Sequence, residues 1–228
     1  MRSASLVTGF FLRTLVWLAL ALPLWAQAGP WFALPPAWLA EQMMRGGFEY
    51  WVLGSELEGT TQTLLTALTV RSPDGRIGEL LPSAEILSYA YGTPLACALL
   101  MASRPTGWWW RLPLAMTLLV PFQAAGVCLT WLMQVAVIAG SDTAAQTGFG
   151  LWQTNAIAAG YQFGYLILPT LVPTLVWLSL DRSFVAKVVL EGALSAVANS
   201  APIPGRSAPT APTAGSAEPV RMDTDSTR

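Results

Sequence analysis

Two long stretches of this chain, Leu112 to Ser141 and Asn155 to Leu180, contain no Asp, Glu, Lys or Arg. A soluble fold scatters charge along its length, and a typical soluble domain carries about 25% charged residues. Here the figure is 11%, against 54% hydrophobic. Such stretches belong in lipid. Lipid offers the backbone no hydrogen bonds, so each must satisfy its own N–H and C=O groups as a helix.

Four apolar runs follow from this reading. The first covers about residues 9–28, interrupted by Arg13. It reads either as a secretory signal, with Ala26-Gln27-Ala28 as an A-x-A cleavage site, or as an uncleaved helix whose Arg13 reaches back to the headgroups. We favour the uncleaved helix, because Phe10, Phe11 and Leu12 extend the apolar stretch ahead of Arg13. The others lie at about 86–103, 112–139 and 156–180. At about 1.5 Å rise per residue each reaches across a hydrocarbon core of about 30 Å, the run at 86–103 only just. The expected fold is therefore a membrane α-helical domain over residues 1–193 with about four transmembrane helices. A tail at 194–228, rich in Ala, Pro, Ser, Thr and Gly, is expected to be disordered.

Between the first and second runs, residues 29–85 are mixed in character and form a small periplasmic segment. Pro35-Pro36 are expected to open a short interfacial helix from Ala37 to Met44. Trp31, Trp38, Phe48, Tyr50 and Trp51 nearby suit the membrane–water boundary. A β-hairpin is expected from about Glu56 to Leu81, turning at Ser72-Pro73-Asp74-Gly75.

Charge sets the orientation. The loop Arg104 to Arg111 holds two arginines and no acid, and Arg182 and Lys187 follow the last run. The loop Gly140 to Thr154 has Asp142 and no base. Both termini are thus expected in the cytoplasm of a bacterial inner membrane. Trp108, Trp109 and Trp110, flanked by Arg104 and Arg111, are expected as interfacial anchors.

The chain contains no histidine. That excludes a Ser-His-Asp triad, a Cys-His dyad and any His-ligated metal. Cys97 and Cys128 lie in apolar runs and read as buried thiols. A net charge of −1 gives no electrostatic case for nucleic acid. No catalytic residue, metal or cofactor is expected, and the lipid bilayer is the first partner. The intramembrane polar residues Gln123, Gln134, Tyr161 and Gln162 are candidates for helix–helix hydrogen bonding or for lining a polar path. Gly160 and Gly164 form a GxxxG pattern that lets two helices approach, within the chain or across a homodimer.

Several stretches in order carry a resemblance. They are Leu22-Pro23-Leu24-Trp25, Glu58-Gly59-Thr60-Thr61, Tyr89-Ala90-Tyr91-Gly92-Thr93-Pro94-Leu95, Val120-Pro121-Phe122-Gln123, and the segment from Gly160 to Pro169. Together they resemble the exosortase H-associated membrane proteins over about residues 5–185. These are small proteins linked with a membrane-embedded sorting transpeptidase of Gram-negative bacteria. The resemblance implies a non-enzymatic accessory role in protein sorting, with an exosortase-type transpeptidase as partner. Exosortases resemble cysteine transpeptidases that need Cys, Arg and His, so a chain without histidine is not expected to be the peptidase. The outer hairpin and the Gly160–Gly164 helix are the expected contact surfaces. A small transporter or channel-like protein using Gln123, Gln134, Tyr161 and Gln162 is the alternative.

Overall fold

The computed structural model describes residues 2–71, 75–184 and 186–190. The chain is mostly helical with a small sheet region. The helices are α1 (Arg2–Gln27), α2 (Gly29–Gly47), α3 (Leu87–Ala90), α4 (Gly92–Ser103), α5 (Trp108–Met133), α6 (Ser141–Thr147), α7 (Leu151–Leu166) and α8 (Leu168–Leu180). A π-helical turn, Gln134–Ile138, prolongs α5. The strands are β1 (Val52–Glu58), β2 (Thr61–Thr66), β3 (Thr69–Arg71), β4 (Ile77–Glu79) and β5 (Ser83–Glu85).

Among the described residues, two helices are long and apolar enough to cross a membrane, Val7–Gln27 and Trp108–Ile138. Leu151–Leu166 and Leu168–Leu180 make a third if taken as one span bent by 60°. The bend has a covalent cause. Pro169 has no N–H, so the Tyr165 carbonyl loses its i+4 donor and the helix breaks at Ile167. The second expected run, 86–103, is divided at Tyr91, and its longer piece, α4, has 12 residues. At about 18 Å, α4 alone is shorter than the hydrocarbon core.

The tandem proline does not open a helix at Ala37. Pro35 and Pro36 lie inside α2, which begins at Gly29. Packing explains the difference: Ala33, Ala37, Ala40 and Met44 form one buried stripe at helical spacing. That stripe packs in a core with Val127, Cys128 and Trp131 of α5. Burying it offsets the backbone bonds the prolines forgo.

The outer strands also pair differently from a single long hairpin. The chain turns early at Gly59, whose φ of 63° favours glycine. β1 then pairs antiparallel with β2 from Glu58↔Thr61 to Val52↔Thr66, and β5 pairs with the other edge of β2. β3 and β4 form a separate two-stranded pair, Thr69↔Glu79 to Arg71↔Ile77. Ser72, Pro73 and Asp74 of the expected turn lie outside the described residues, as does the expected tail.

Along β2 alternate residues Gln62, Leu64 and Thr66 are buried, the period-2 pattern of a strand with one covered face. Leu64 and Ile86 enter the same core as the α2 stripe. A second core joins Leu99 and Leu100 of α4, Ala115 and Leu119 of α5, and Val176 and Trp177 of α8. Helix α5 runs through both. It fits Tyr89 closely at Gly126, where a Cβ would lie 2.4 Å from the Tyr89 ring. The Tyr89 hydroxyl bonds Thr130 one turn further on.

Candidate functional site: a groove between two helices

Helices α2 and α5 diverge to leave an open groove of about 550 Å³. Trp31, Pro35 and Trp38 line one wall, and Met116, Thr117 and Pro121 the other. Trp31 and Trp38 are 77% and 65% exposed. Thr93 and Gln123 also line the groove. Gln123 is 7% exposed and donates from Nε2 to Thr93 Oγ1 at 2.9 Å, so its buried amide is partnered as burial requires. Thr117, Val120 and Pro121 sit within the apolar helix Trp108–Ile138, which is long enough to cross a membrane.

Proline gives this groove its polarity. Pro35, Pro36 and Pro121 have no N–H, so the carbonyls of Trp31, Phe32 and Thr117 have no i+4 donor. All three residues line the groove. An otherwise apolar lining thus includes three residues whose carbonyls lack a helical donor.

The residues singled out from the sequence are not brought together. Gln134 does not meet Gln123. In the π-helical turn it binds the β5 backbone, accepting from Ser83 N–H at 3.2 Å and donating to Ser83 C=O at 2.6 Å. Tyr161 stacks on Tyr165, which meets Tyr89 edge-on. Gln162 is exposed on α7. Gly160 and Gly164 both face Leu129 of α5, where a Cβ at either would stand 3.1 Å from a Leu129 methyl. The stripe is therefore occupied by packing within the chain. Glu56 and Glu58 are exposed on β1, while Glu41 accepts from Ser55 and Glu85 from Thr61.

Trp108, Trp109 and Trp110 are all substantially exposed at the start of α5. Arg111 lies over the Trp110 ring, 5.3 Å from its centroid. Its Nη1 is 3.8 Å from Asp181 Oδ1, and the Asp181 side chain is 1% exposed. Sequence reading missed this ion pair, because Asp181 falls one residue past the charge-free run. The available signal was Asp181-Arg182-Ser183, an acid poised to cap the next helical turn. Oδ1 does accept from Ser183 Oγ and from the Phe184 N–H.

At Arg13 the guanidinium lies beside Gly9, one turn toward the N-terminus. Cys97 and Cys128 are free thiols, the latter donating to the Ala40 carbonyl. Among the described residues no group of three or more His, Cys, Asp or Glu could hold a metal ion.

Residues 4–184 match the family of exosortase H-associated membrane proteins. The chain belongs to that family. This exosortase H-associated protein matched no curated protein and no solved structure. The family match covers both cores, the sheet region and the groove, and stops within a few residues of Asp181.

Proposed function

We propose that this chain is a non-enzymatic accessory of an exosortase-type sorting system, seated in the bacterial inner membrane with both termini in the cytoplasm. The observation that carries the reading is the family match over residues 4–184. The groove supports it by offering a membrane-level surface with backbone acceptors, where a segment embedded in the bilayer could lie. The outer sheet supplies a second contact surface on the periplasmic side. Gly160 and Gly164 both face Leu129, which supports a packing role within the chain for them.

The transport reading loses the geometry it needs. Gln123 bonds Thr93, Gln134 bonds Ser83, and Gln162 is exposed on α7. These groups do not line one passage.

Co-purification tests the proposal. The tagged full chain, expressed with an exosortase from the same cells and extracted in mild detergent, is expected to recover the enzyme. Met116→Trp, which fills the groove from the α5 side, should lower that recovery severalfold without lowering yield. Absence of the enzyme from the wild-type eluate would sink the accessory reading. Equal recovery with Met116→Trp would remove the groove and leave the sheet as the contact.

A further inference from the structure

A second pocket lies at the opposite end of the helices from the sheet. It has a volume of about 310 Å³ and is lined by Trp17, Leu100, Met101, Arg104 and Trp108. Its walls are apolar and aromatic apart from one cation. Among the described residues no carboxylate lies within ion-pair distance of Arg104.

Arg104 occupies this place at a cost. It caps α4 with φ 49° and ψ 55°, and among the described residues it is the only non-glycine with positive φ. Helices commonly end with glycine in this conformation, because a Cβ there is strained. Pro105 follows directly and restricts its predecessor further. Glycine would serve the backbone better, so the side chain is what the position retains.

Depth can be read from the neighbours. Phe10 of α1 stacks on Trp177, whose Nε1 donates to Ser103 Oγ, next to Arg104. Trp17 is seven residues further along α1, about 10 Å deeper at 1.5 Å per residue. The pocket therefore runs from a cation at the interface down an apolar wall into the hydrocarbon. Such a shape matches a molecule with an anionic head and an apolar tail.

We propose that this pocket holds one anionic phospholipid, its phosphate on Arg104 and an acyl chain along Trp17 and Leu100. Trp108 closes the side of the headgroup. The recognition is the cytoplasmic-face pattern of a basic residue set between helices at the level of the phosphates.

Native mass spectrometry of the full chain, extracted from bilayers of equimolar phosphatidylglycerol and phosphatidylcholine, tests this. Wild type is expected to retain phosphatidylglycerol preferentially. Arg104→Gly should reduce that preference about fivefold, the weight of one basic residue at an anionic surface, while keeping or raising the melting temperature because glycine relieves the cap. Arg104→Lys should keep most of the preference and Arg104→Gln lose it, which carries the test if the glycine variant folds poorly. Arg182→Gln, which removes the same charge from an exposed site outside the pocket, should change little. Equal retention of the two lipids by wild type overturns the proposal. An equal loss with Arg182→Gln also overturns it, as does stabilisation by inorganic phosphate alone matching that by phosphatidylglycerol.

Discussion

At Asp181 one carboxylate oxygen accepts from the Ser183 hydroxyl and the Phe184 N–H while lying 3.8 Å from Arg111. The cap and the ion pair can be separated by substitution. Asp181→Asn keeps an acceptor for the cap and removes the charge, leaving Arg111 without its anion. Asp181→Ala removes both, and should melt below Asp181→Asn by an increment worth about 1 kcal/mol, the usual value of a polar N-cap. Arg111→Met leaves a buried carboxylate unpaired, a loss that typically costs 3–5 kcal/mol. Pairing Arg111→Met with Asp181→Leu should therefore melt higher than Arg111→Met alone. Thermal unfolding in one mild detergent orders these variants, and losses in the double variant equal to the sum of those of Arg111→Met and Asp181→Leu measured singly would show that the two charges do not interact.

Among the elements, the legible part was what hydropathy alone decides. Helix α5 was visible because a charge-free run that long has no other solution in lipid. The tandem proline misled, since its local penalty of about 3 kcal/mol or more per interior position says nothing of the Ala33–Ala37–Ala40–Met44 stripe that offsets it. Sheet pairing was hidden for a related reason. Thr and Leu in β2 fit several registers, and the one adopted is fixed by Gln62, which reaches Ala37 C=O and Ser55 Oγ from inside the core. Of the site, the polar residues were visible but not their partners, which lie 30 residues away for Gln123 and 51 for Gln134. Gln134 joins the end of α5 to β5 by two hydrogen bonds, each worth about 1 kcal/mol net. Gln134→Leu should accordingly speed amide exchange at Ser83 and its β2 partner Thr63. Exchange in α4 and α8, which pack in the other core, should be unchanged, and uniform acceleration would mean that the two cores unfold as one.

Across the whole molecule, the contacts sort the chain into two poles along α5. Phe10, Ser103, Trp177, and the pair Arg111–Asp181 gather at one. At the other, Gln134 holds β5, and Thr143 and Gln146 of α6 hold the Thr69 carbonyl. The segment from Gln27 to Ser103 must return from the second pole to the first, whatever the length of α4, because α1 and α4 both pack toward the end where Phe10 and Ser103 meet. The first pole carries Arg104 and Arg111 on a loop without acids, so the proposed orientation puts it on the cytoplasmic side. Alkaline phosphatase, active only outside the cytoplasm, reports this directly. Inserted at Gly75 or at Gly148 it is expected to be active, and at Thr106 inactive. A cytoplasmic Gly75 with an external Gly148 would mean that one of the two passages between them, by α4 and α5, does not cross. The broken helix Leu87–Ser103 would then be the one that stays at the surface, since its longer piece has 12 residues against the 31 of the apolar span Trp108–Ile138.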